Sequence, residues 1–122
     1  MRKEKYTESD DLYDMACEWI ETKEFDKASE CLKGAINLNP NFIYAYVTLA
    51  EVYEKQKRFS EGVTILKKAF KIDTTFDRLP FLISRYCFEL GNLPDAMKYI
   101  DLAIELAPEQ EYLEFKERIK NA

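Results

Sequence analysis

Ala35-Ile36-Asn37-Leu38-Asn39-Pro40 returns as Ala103-Ile104-Glu105-Leu106-Ala107-Pro108, 68 residues further on. That interval is twice 34, and the midway stretch Ala69-Phe70-Lys71-Ile72-Asp73-Thr74 keeps the alanine and an isoleucine while losing the proline. Self-similarity at a fixed period of this length marks a repeat array. Each unit in such an array is one supersecondary element that buries its apolar face only by stacking on its neighbours. Units at 9–42, 43–76 and 77–110 account for most of the 122 residues, and 111–122 is left as a terminal cap within one expected domain.

Several further positions recur in phase. Small side chains fall at position 8 of the unit (Ala16, Ala50, Ser84) and at position 20 (Ala28, Gly62, Ala96), where two helices can approach closely. Larger groups fill the space around them: Phe25, Phe59 and Leu93 at position 17, Leu32, Leu66 and Ile100 at position 24, and Met15, Leu49 and Ile83 at position 7. Over residues 9 to 110 this pattern resembles the tetratricopeptide repeat family. The resemblance implies an all-α fold, a right-handed superhelical stack of antiparallel helix pairs (an α-solenoid) with about seven helices. Departures are local: Leu12, Tyr46 and Pro80 share position 4, which the family often gives to an aromatic residue, and Thr74 stands where a proline is usual.

Turn and cap residues agree with the phase. Ser9 or Thr7 is suited to cap the first helix, Pro40-Asn41 separates the first unit from the second, and Gly91-Asn92-Leu93-Pro94 reads as a turn with a proline suited to a helix start. Pro80 is compatible with helix if Asp77 is the N-cap, because a first-turn proline gives up only an N–H that has no intrahelical acceptor. Helices are expected near 9–22, 26–38, 42–56, 60–71, 78–90 and 95–106. A seventh, near 109–121, carries Tyr112, Phe115 and Ile119 along one face and is expected to cover the last apolar surface.

A hydrophobic fraction of 47% with 14% aromatic residues supplies a core and disfavours disorder. The formal charge of -5 disfavours nucleic acid, whose affinity comes largely from Lys and Arg neutralising phosphates. No window approaches the ~20 apolar residues that span a bilayer, and the polar N-terminus is unlike a signal peptide, so a soluble cytoplasmic protein with no membrane partner is expected. Cys17, Cys31 and Cys87 form no CxxC pair and histidine is absent, which predicts reduced thiols and no metal site. Gly-rich phosphate loops, HExxH and GxSxG are lacking too, so neither enzymatic activity nor a cofactor is expected.

The resemblance implies a concave groove lined by positions 2, 5, 9 and 12 of each first helix. The candidate lining residues are then Tyr13 and Cys17, followed by Tyr44, Val47 and Glu51, and finally Arg78, Phe81, Arg85 and Phe88. The last row alternates cation and ring along one helix, a composition suited to an extended peptide. A second reading has Phe88 covered by the C-terminal helix and Arg85 paired with Glu51. Repeats that clamp a C-terminal carboxylate carry Lys, Asn, Asn, Lys and Arg at places held here by Tyr13, Cys17, Thr48, Arg78 and Leu82, so only Arg78 keeps the charge and such a clamp is not expected. The leading expectation is a non-enzymatic adaptor for a protein or peptide partner. The alternative is a scaffold or homo-oligomer that assembles through its end repeats.

Overall fold

The computed structural model describes the backbone of residues 2–122 and the side chains from Glu8 onward. Among the described residues there are seven helices and no strand: α1 (Arg2–Glu21), α2 (Phe25–Leu38), α3 (Ile43–Lys55), α4 (Phe59–Ile72), α5 (Arg78–Glu89), α6 (Leu93–Leu106) and α7 (Gln110–Lys120). They fall into two compact units, one running through Arg58 and the other from Phe59 to Ala122.

The in-phase small and large positions are where the core lies. Ala16, Ala50, Ser84, Ala28, Ala96, Leu32, Leu66, Ile100, Ala35, Ala69 and Ala103 are all fully buried. In the second unit the closeness of α5 and α6 is direct, because the Ser84 hydroxyl donates to the Ala96 carbonyl at 2.6 Å. A hydroxyl reaches a backbone carbonyl only where two helices nearly touch. Met15 departs from its aligned partners Leu49 and Ile83: it is 46% exposed while they are buried.

Each first helix ends the same way. Lys23, Lys57 and Gly91, spaced by 34, all take left-handed backbone, with φ of 62°, 60° and 77°. Just beyond, the N–H groups of Glu24, Arg58 and Asn92 donate to the carbonyls of Trp19, Tyr53 and Cys87, the six-to-one closure that ends a helix on a left-handed residue. Glycine is present at only one of these turns, so the sequence signal read at 91 to 94 marks a turn that occurs at all three. Asn92 then caps α6 by accepting from the Asp95 N–H at 3.2 Å, with Pro94 in the first turn.

Two capping expectations change. Ser9 lies inside α1, fully buried, and its hydroxyl donates to the Ala35 carbonyl at 2.9 Å instead of capping, so it binds α1 to α2. Thr7, the other candidate cap, has its side chain outside the described residues. Asp77 does stand at the head of α5, with Pro80 in the first turn, but its own backbone is helical and its carboxylate makes no cap bond.

Candidate functional site

In the first unit, Tyr13 joins α1 to the start of α3. Its phenol shares a 2.9 Å hydrogen bond with the Thr48 hydroxyl, and its ring lies 5.1 Å from that of Phe42. Cys17 sits one turn further along α1. Partial burial raises its thiol pKa, the Asp14 carboxylate raises it further, a hydrogen bond from Tyr13 opposes this, and Glu21 adds to the rise. The thiol is therefore protonated at neutral pH and a poor nucleophile. On α3, Tyr44 is 62% exposed and Glu51 half-buried. Val47, expected on the open face, is buried with only 8% exposed, an apolar side chain on a helix that is covered along most of its length, from Ala45 to Tyr53.

The second unit holds the row Arg78, Phe81, Arg85 and Phe88 on α5. The guanidinium groups of Arg78 and Arg85 lie 5.6 and 5.9 Å from the centre of the Phe81 ring. The expectation that Phe81 is an open anchor is corrected, since it is only 2% exposed. The reason is α7. Tyr112 stacks obliquely on Phe81 at 4.6 Å, and Phe115 meets the edges of both Phe81 and Phe88 at 5.9 and 5.5 Å. Phe88 is half-buried between Phe115 and the Arg118 guanidinium, 5.2 Å away. Of the two sequence readings for Phe88, cover by the C-terminal helix is the one the structure has.

Tyr112 is also anchored through its phenol, which donates to the Asp77 carboxylate at 2.5 Å. Burial, then this bond and the Asp77 charge, push the phenol well above the ordinary tyrosine value. Lys116 pairs with Asp101 of α6 at 2.8 Å. Where α5 and α7 diverge, a cleft of about 650 Å³ is lined by Phe81, Arg85, Glu111, Glu114, Phe115 and Arg118. Sequence reading named Phe81 and Arg85 but missed the polar residues that α7 contributes, although Glu111, Glu114 and Arg118 recur at the i, i+3, i+7 spacing of one helix face.

Among the described residues no cluster of three or more His, Cys, Asp or Glu side chains could hold a metal ion. No helix among them is long and apolar enough to cross a membrane. Cys17, Cys31 and Cys87 are free thiols.

The tetratricopeptide repeat profile matches residues 12–42, 43–76 and 81–110, and the chain belongs to that family. Its helices superpose on the N-terminal domain of stress-induced protein-1 (STI-1) from C. elegans with a TM-score of 0.89 at 20% identity, covering 95% of this chain and 97% of that one. A similar likeness holds to the first tetratricopeptide domain of Spaghetti (RPAP3) bound to an HSP90 peptide, with a TM-score of 0.88 at 17% identity over 95% and 93% of the two chains. In sequence, 78 residues are 26% identical to the peroxisomal targeting signal receptor of Candida albicans. That match takes in 64% of this chain and 13% of the receptor.

Proposed function

We propose that this chain is a non-enzymatic protein-interaction module whose first helices take up a peptide or a protein surface. The observation that carries the reading is the α1–α3 face. Tyr13 is fixed by Thr48 and Phe42 with the half-buried Cys17 one turn on, and α3 carries the half-buried Glu51 and a Tyr44 that is 62% exposed. A rigid aromatic base, with an exposed tyrosine and a carboxylate on the same pair of helices, is the make-up of a recognition surface, in which a few amphipathic anchors supply most of the affinity. The RPAP3 domain, similar in fold, is bound to an HSP90 peptide. Here the places that clamp a carboxylate hold Tyr13, Cys17, Thr48, Arg78 and Leu82, of which only Arg78 keeps the charge and Leu82 is fully buried, so the ligand is held mainly by apolar and aromatic contact and not by a clamp on its terminal charge.

The net charge of -5 disfavours nucleic acid, and the three free thiols suit the reducing cytoplasm. The test is selection from a displayed peptide library followed by NMR shift mapping of a selected peptide. Shifts centred on Tyr13, Cys17, Tyr44, Thr48 and Glu51 support the reading, and shifts confined to the outer faces of α2, α4 and α6 overturn it. A second reading, assembly through the end helices, is favoured by Met15 and Leu113, which are 46% and 41% exposed. Light scattering distinguishes it by giving a concentration-dependent mass.

A further inference from the structure

Tyr44 and Tyr112 occupy the same place in the 34-residue frame, yet one is 62% exposed and the other 4%. The same holds along the rest of α7. Tyr112, Phe115 and Ile119 are the counterparts, 34 residues on, of Arg78, Phe81 and Arg85. Of these, Phe115 lies directly against its own counterpart Phe81, and against Phe88. Thus α7 lays onto α5 a face whose first position, Tyr112, is covered where its counterpart Tyr44 on α3 is open.

We propose that α7 is a self-ligand, a detachable amphipathic helix that occupies the α5 face and gives way there to a partner's helix bearing two aromatic residues and an aliphatic one at i, i+3 and i+7. This rests on the reading of the first-helix faces as partner sites. The occupant's chemistry defines the partner's, because what covers Phe81 and Phe88 is a tyrosine, a phenylalanine and, one turn beyond, the buried Ile119. Detachment is built in by length and attachment. α7 has 11 residues, fewer than an isolated helix needs to persist in water. Its N-cap Glu109 makes no side-chain cap bond, and its leading residues Ala107 and Glu109 are extended. Besides its ring contacts and its packing along α6, it is held by the Tyr112–Asp77 bond and by a partly exposed ion pair, Lys116–Asp101. The cleft beside Phe81 and Phe115, whose lining also takes in Arg85, Glu111, Glu114 and Arg118, gives an incoming helix a first foothold at the seam.

The experiment uses the full chain, as wild type, Tyr112→Phe and Phe115→Ala, with hydrogen exchange resolved by helix and a fluorescent peptide copying residues 109–121. In the wild type, α7 amides exchange by local opening while α5 stays protected. Tyr112→Phe keeps the ring and removes the bond to Asp77, so α7 exchange and peptide affinity both rise about tenfold. A peptide with alanine in place of its three apolar anchors does not bind. Exchange of α7 only together with α5, or peptide affinity unchanged by Tyr112→Phe, overturns the proposal. If a library-selected peptide still maps to Tyr13, Tyr44 and Thr48 in that case, only the self-ligand fails. If that mapping is lost as well, the proposed function fails with it.

Discussion

Lys23 and Lys57 share one left-handed backbone conformation, with φ of 62° and 60°, at equivalent turns of the first two repeats. A side chain costs about 1–2 kcal/mol in that region, and the third turn relieves the strain by using Gly91. Lys57→Gly should therefore stabilise the protein by roughly 0.5–1 kcal/mol once glycine's larger unfolded-state entropy is subtracted. Gly91→Ala should do the opposite. A Cβ at Gly91 meets nothing within 4 Å, so its cost would be backbone strain alone. Denaturant midpoints of the two variants moving in the same direction would contradict this account.

Ala50→Leu inserts three carbons at a fully buried position of α3 and should destabilise by roughly 1–3 kcal/mol. Glu61→Leu, an exposed position in the first turn of α4, should shift thermal stability much less. Equal effects would mean that the 34-residue phase does not locate the core.

The sequence made that phase legible because alanine, leucine and isoleucine at fixed spacing report burial directly, as Ala16, Leu32 and Ala35 do. Other features left no such trace. Ser9 has the composition of a cap, and only its depth against Ala35 turns it into an interhelical donor. Lys23 and Lys57 give no turn signal, since their conformation is imposed by the helix ending and not by their chemistry. At the candidate site, the order of rings and cations on α5 was readable, but the cover over Phe81 was not. The cover depends on which way α7 rolls, and Tyr112, Phe115 and Ile119 specify an apolar face without naming the surface it meets.

Phe81→Ala should therefore behave as a core truncation, costing about 3–5 kcal/mol and loosening α7 along with it. Arg78→Ala, which removes a half-buried cation from the same ring, should leave the melt within about 1 kcal/mol of wild type. Circular dichroism melts of the two single variants settle the contrast. A harmless Phe81→Ala would return that ring to the role of an open anchor.

Alkaline pH should weaken the fold. Burial raises the Cys17, Cys87, Tyr46 and Tyr112 values, with the Asp77 bond adding to it at Tyr112, so the native state keeps protons that the unfolded chain releases. Their contribution is complete below the unfolded values, 9.0 for the thiols and 10.0 for the phenols, and is lost as pH rises from there through the raised native values. The melting midpoint should fall from about pH 9 upward, and Tyr112→Phe should remove part of the steeper fall above 10.0. A midpoint that climbs over this range would reverse the sign.

The Tyr112–Asp77 bond also orders events in time, because it spans 35 positions. A chain emerges from the ribosome N-terminus first, and domains generally fold as units in that order. All of the unit of α1 to α3 has been made once Arg58 has emerged. The head of α5 must wait, since the residue that engages Asp77 is made well after it. A nascent chain halted short of Tyr112 would then carry all of the first unit and a second whose Asp77 carboxylate is still bonded to water.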